Sequence, residues 1–135
     1  MLIRGRGISK GRGEGPLLVS PAPLSFLSGV DPSSGIIVEK GHPLEGACIE
    51  GKVLAFPYGK GSTVGSYVLY ALSRNGHAPA AIVNAEAESI IATGAIIGNI
   101  PMIDHTDVSL DRLRNGVHVV VDGTAGEMEY DGELV

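Results

Sequence analysis

The chain has almost no sulfur chemistry of its own: a single cysteine, Cys48, in 135 residues. One thiol excludes an internal disulfide framework, and it excludes a zinc or iron–sulfur centre built on thiolates of this chain alone. Tryptophan is absent and phenylalanine occurs only twice. No apolar run approaches the roughly 20 residues that a membrane helix needs. The first residues hold no apolar core of a secretion signal. The expectation is a soluble, cytoplasmic protein with no membrane partner. Four histidines, His42, His77, His105 and His118, share no ligand-like spacing, so they read as structural or surface residues and no metal site is assigned.

Acid is missing from one place in particular. The first twelve residues carry Arg4, Arg6, Lys10 and Arg12 and no carboxylate, a charge of +4, whereas six cations and fifteen acids give the remainder −9. A basic arm for nucleic acid would also need aromatic residues for stacking, and the acidic remainder would repel a phosphate backbone. A nucleic-acid partner is therefore excluded, and a small anion or a partner subunit suits the segment better.

What the chain has in quantity is glycine, 20 residues, and aliphatic side chains. Leu2–Ile3 and Gly15–Ser20 read as strands on either side of a GRGISKGRGEG loop, and DPSSG (31–35) turns into a strand at Ile36–Glu39. After them come a strand at Gly51–Phe56, a helix from near Thr63 to Asn75–Gly76, a strand at Ala80–Asn84 and a helix at Glu86–Ile97. A strand at Ile100–Ile103, one helical turn at Asp111–Arg114, and strands at Val117–Val121 and Glu127–Tyr130 complete the order. Val64, Val68, Ala71 and Leu72 should form the buried face of the first helix. Right-handed crossovers place both helices on one side of a parallel sheet, leaving the N-terminal β-segments to cover the other. The expectation is one α/β domain, residues 1–135, with layers in the order β/β/α.

The stretch GKGSTVGSYVLYALSRNG, residues 59–76, carries the chemistry. A glycine-rich turn delivers Ser62 and Thr63 to a helix start, where free N–H groups and the positive end of the helix dipole favour an anion. A carboxylate, a phosphate or a serine alkoxide would all suit it. The glycine spacing is not that of a phosphate-binding P-loop. A plain N-cap role for Ser62 or Thr63 is the competing account. Asp31 fits turn chemistry, and Cys48 a small buried apolar role.

The segments SFLSGVDPSSGIIVEKGHPLEG (25–46), GKVLAFPYGKGSTVGSYVLYAL (51–72) and APAAIV (78–83) resemble, in order, the swivel-domain small subunit of the aconitase X family. The resemblance runs from GRGISKGRGEG to VDGTAGEMEY, nearly the whole chain. It implies a swivelling β/β/α domain like the C-terminal domain of aconitases and a heterodimeric hydro-lyase. It also implies a [4Fe-4S] cluster held by the large subunit. The substrate would be a 3-hydroxy carboxylate, with (R)-5-phosphomevalonate favoured by the basic N-terminus over cis-3-hydroxyproline. Ser62 matches the position of the family's serine base. Gly61, Thr63 and Lys60 in the turn, with Lys10 and Arg12, are the substrate-binding candidates. Residues 98–130 also resemble the closing half of phosphohistidine carrier domains, but those need a histidine in the mobile turn, where this chain has Ser62 and Thr63. A non-catalytic interaction module is the third reading.

Overall fold

Val53–Phe56 and Ala81–Asn84 are each wholly buried, and this places them at the centre of the molecule. A strand covered on both faces reads as a continuous apolar run, as VLAF does and as AIVN does up to its last residue. In the computed structural model, which describes residues 1–61 and 64–135, these runs are β5 and β7. The other strands are β1 (Leu2–Arg4), β2 (Arg6–Ser9), β3 (Arg12–Val19), β4 (Leu24–Ser25), β6 (Gly59–Lys60), β8 (Met102–Asp104), β9 (His118–Asp122) and β10 (Glu127–Tyr130). Helices α1 (Gly65–Arg74) and α2 (Ser89–Ile97) and a 3-10 turn at Leu110–Arg112 account for the remaining regular structure described.

Eight strands form one sheet in the order β1-β10-β9-β3-β5-β7-β8-β2, and β4 pairs separately with β6. Strands β3, β5, β7 and β8 run parallel, linked through α1 and α2 between β5, β7 and β8. β3 serves two neighbours in succession: Arg12–Pro16 pair antiparallel with β9, and Leu17–Val19 pair parallel with β5. Side chains alternate accordingly. Leu54 and Phe56 pack with Leu69, Leu72 and Ile91 under the helices, whereas Val53 and Ala55 pack with Val119, Val121, Met128 and Tyr130. The layers are β/β/α.

Four details differ from the sequence expectations. The GRGISKGRGEG segment is two strands rather than a loop, because β2 finds β8 and the first half of β3 finds β9. Its glycines allow close layers: a Cβ on Gly13 would strike the carbonyl of Ala80. Ile36–Glu39 forms no strand; its ladder contacts are isolated bridges, Val30 to Ile37 and Ile36 to Cys48, and single backbone bonds such as Val38 N–H to the Gly29 carbonyl hold the rest. The second β layer draws on the C-terminal hairpin β9–β10 as much as on the N-terminal segments. Finally, the buried stripe of α1 is Gly65, Leu69 and Leu72, with Val64 exposed. The stripe differs because α1 packs on α2 as well as on the sheet. Leu69 lies over Gly94 of α2, where a Cβ would come within 2.6 Å of Leu69 Cδ1.

Candidate active site

In an open parallel sheet, ligands bind beyond the carboxyl ends of the strands, where the helices that follow present their N-termini. Here β5, β7 and β8 end at Phe56, Asn84 and Asp104, and the segments after them converge. The turn after β5 is anchored on both sides. Its β6 residues pair with β4, Leu24 opposite Gly59 and Ser25 opposite Lys60. Gly59 packs so tightly on Ile91 of α2 that no side chain fits there. Gly61 has φ of +102°, a conformation that favours glycine, and a Cβ there would come within 2.8 Å of Ser25 Oγ. Gly65, by contrast, leaves ordinary room, with the nearest atom at 3.6 Å. Ser62 and Thr63 lie outside the described residues. The first residue of α1 is Gly65, with Val64 at the cap position.

Lys60 Nζ is 2.9 Å from Glu39 Oε2, and Glu39 Oε1 accepts the Ser25 N–H at 3.1 Å. Burial pushes the Glu39 carboxyl upward, but the Lys60 and Ser25 hydrogen bonds outweigh it and hold it below the usual carboxylate range. The lysine is thus tied to the floor of the turn. Lys10 and Arg12 stand elsewhere. Lys10 follows Ser9, which pairs with Met102 at the start of β8, and it lines a cavity with Ile96 and Asn99 at the C-terminal end of α2. Arg12 lies seven residues before Val19, the partner of Ala55, which is roughly 20 Å of strand from the turn. The structure brings Lys60 and Gly61 together and leaves Lys10 and Arg12 at the opposite end.

Three polar residues at this edge carry no assignment in the sequence reading. Asn84 is fully buried. Its Nδ2 donates to the Phe56 carbonyl at 3.0 Å, while its Oδ1 is the one buried side-chain polar atom without a partner among the described residues. Asp104, equally buried, receives Arg6 Nε and Nη2 at 2.9 and 2.7 Å and the Ala87 N–H at 2.8 Å. Burial raises its carboxyl, but the Arg6 hydrogen bonds, the Ala87 N–H and the charges of Arg6 and His105 bring it net below the usual range. A usable signal existed: Asn84 and Asp104 are the polar ends of the apolar runs that begin at Ala81 and Met102. Glu88 caps α2, its Oε1 accepting the Ile91 N–H at 2.8 Å. On the other side of the same edge, Val19, Pro57, Ala85, Leu110 and Leu113 line a groove of about 430 Å³.

The histidines have local partners or face solvent. His42 is buried, its Nδ1 accepting from Leu44 N–H while Nε2 lies 3.0 Å from the Pro23 carbonyl. His77 pairs with Glu50, His105 with Glu86, and His118 is exposed on β9. Cys48 is half-buried, with its thiol on the Ser34 carbonyl. Among the described residues no group of histidine, cysteine and acid side chains is arranged to hold a metal ion. A single thiol does not fit an iron–sulfur cluster, which takes several thiolates.

A family model described as the aconitase X swivel domain matches residues 2–130. The phosphomevalonate dehydratase small subunit of Thermococcus kodakarensis is 54% identical over 135 residues, covering 98% of this chain and 100% of that one. The protein of the same name from Methanocella arvoryzae is 54% identical over 130 residues, with 96% and 98% covered. The crystal structure of T. kodakarensis aconitase X in its holo-form superposes with a TM-score of 0.93 at 52% identity, covering 98% of this chain and 99% of that one.

Proposed function

Because the chain belongs to the aconitase X swivel-domain family, we propose that it is the small subunit of a two-subunit hydro-lyase that dehydrates (R)-5-phosphomevalonate to trans-anhydromevalonate 5-phosphate, with Ser62 as the base. The observation that carries this reading is the full-length match to small subunits bearing that dehydratase's name. The iron–sulfur cluster is assigned to the large subunit, since the residues described here do not fit it.

The role of this chain follows from the turn. Ser62, as alkoxide, takes the proton from the carbon beside the carboxylate. The electrons left behind form the double bond to the neighbouring carbon, from which the hydroxyl departs. A serine hydroxyl is a weak base unless its anion is held by aimed N–H donors in a site closed to water. The reading assigns that task to backbone N–H groups of the glycine-rich turn, in which Gly61 and Thr63 are the sequence neighbours of Ser62. Lys60 offers a cation to the substrate once Glu39 releases it. Lys10 and Arg12 are too distant for a substrate this small to touch both them and the turn, so the phosphate falls to Lys60 or to the large subunit.

The test is anaerobic capture of the tagged chain with its large subunit, followed by assay with (R)-5-phosphomevalonate and, in parallel, cis-3-hydroxyproline. Ser62→Ala should leave the assembly intact and lower kcat on the order of 100-fold or more. Turnover of hydroxyproline alone would replace the substrate. A Ser62→Ala complex as active as the parent would remove the serine from the chemistry and leave an interaction module.

A further inference from the structure

Behind the turn, and unused in the chemistry above, stands a half-buried ion pair that hydrogen bonds and short backbone links connect to it. Asp104 has no exposed surface, and Arg6, 98 residues away in sequence and half-exposed, grips both of its oxygens. Such a pair is poor evidence of stabilisation. Desolvating the Asp104 carboxylate offsets much of the attraction, and with Arg6 half in solvent the net gain is small. Its geometry is a better reason for its presence. The Oδ2 that Arg6 Nη2 holds also accepts the Ala87 N–H at 2.8 Å. Ala87 belongs to the segment after β7, in which Ala85 and Glu86 donate their N–H groups to the Pro57 carbonyl at 3.0 and 3.1 Å. Proline has no N–H, so Pro57 can be held through its backbone only at that carbonyl. Two residues later comes Gly59, seated on Ile91.

The end of β8 is fastened to the same segment a second time. His105 donates its backbone N–H to the Ala85 carbonyl at 3.2 Å, and its ring pairs with Glu86 at 2.6 Å. His105 sits at φ of +52°, a strained value for a residue with a side chain, kept only where surrounding contacts fix it.

We propose that Arg6 and Asp104 are positioning residues for the turn: the pair locks the 85–88 segment, and that segment sets the place of Pro57 and the residues after it. The pair touches no reacting atom. Its role rests on the reading that the turn carries the base, and there a displacement of about 1 Å can cost on the order of 100-fold in rate. The charge is needed for a geometric reason. Both carboxylate oxygens accept hydrogen bonds, so an asparagine at 104 must turn its amide NH2 toward Arg6 Nε, or toward both Arg6 Nη2 and the Ala87 N–H, and the fork is broken either way.

The test compares Asp104→Asn, Arg6→Met and Arg6→Lys in the full chain by backbone amide exchange, and in the assembled two-subunit enzyme by kinetics. Exchange at 58–61 and 85–88 should quicken at least about tenfold in Asp104→Asn and Arg6→Met, with 119–121 and 128–130 unchanged. In the assembled enzyme kcat should fall about tenfold or more at nearly constant KM. Arg6→Lys should recover part of both, because a lysine restores the charge without the fork. Unaltered exchange at 58–61, or faster exchange in every segment together, overturns the proposal, as does local loosening with kcat unchanged. If the parent assembly dehydrates no hydroxy acid, the proposed function fails, while the exchange pattern still decides whether the pair locks the turn.

Discussion

Asn84 shows how narrow the tolerances are at the edge where the turn sits. Its amide donates to the carbonyls of Phe56 and Val83, at 3.0 and 3.3 Å, inside a site closed to water. Asn84→Asp replaces those donors with carboxylate oxygens facing carbonyls. The expected loss is about 2–4 kcal/mol at pH 8, read from the urea midpoint. Burial raises the folded pKa of the new carboxyl, so the destabilisation should shrink at pH 5, where the group keeps its proton and donates in place of the amide. At this scale part of the proposed site is a local sequence pattern. The hydroxyls and glycines of residues 59–63 are adjacent in the chain, so their chemistry can be read locally. Arg6 and Asp104 cannot be read so, because their meaning arises only when β2 pairs with β8. Arg6 looked like one more cation in a basic segment, and Asp104 lay just past the end of the expected strand and drew no assignment.

Between elements, the α1–α2 contact determines how α1, and therefore the start of the helix behind the turn, sits on the sheet. Gly94 is the close point, with Leu69 Cβ at 3.0 Å and Ser66 Cα at 3.1 Å from the place a Cβ would occupy. Gly94→Ala should raise the intrinsic helix propensity of α2 by about 1 kcal/mol. We expect the protein nonetheless to lose about 1–2 kcal/mol net, since backbone as well as a side chain must move. A thermal-unfolding midpoint at or above that of the parent would show that the helices have room to separate. The same contact explains which elements were legible. β5 is apolar throughout and β7 apolar up to Asn84, and both were found within two residues, because burial on both faces leaves an unmistakable run. In the stripe of α1 Leu72 was read correctly, but Gly65 and Leu69 take the places expected of Val64 and Val68, since a helix touching two surfaces does not centre on either. β2, with sequence RGIS, shows no alternation at all and becomes a strand only through its partner.

For the whole molecule, charge is distributed by pairing more than by partner. The basic N-terminal segment lies largely in strands whose neighbours are acidic, with Arg4 opposite Glu127 and Arg12 opposite Asp122. Three carboxyls are held below their usual range. For Asp31 the Ser33 hydroxyl and N–H lead, and for Glu39 and Asp104 their cations and N–H donors outweigh burial. Since the unfolded chain takes up these protons more readily, the stability they contribute is present above about pH 4 and is lost as pH falls through the lower folded values. Thermal midpoints measured from pH 6 down to pH 2 should therefore drop steeply below about pH 4. The drop should be shallower in Asp104→Asn, and an equally steep one would assign the acid sensitivity to other groups. The β/β/α plan was legible because strand–helix–strand order limits topology, whereas the covering role of β9–β10 depends on β3 serving two neighbours, which no local pattern reveals.

That double service of β3 also has a consequence in time. β1 waits for β10, β2 for β8, and the first half of β3 for β9, so the strands made first are completed by those made last. Closing such distant pairs is slow compared with forming helices, and unpaired edges meanwhile remain open to other chains. A ribosome that has not yet released the last hairpin therefore holds a chain whose N-terminal strands have nowhere to go, and full-length synthesis, not the order of the parts, sets when this protein becomes safe from its own copies.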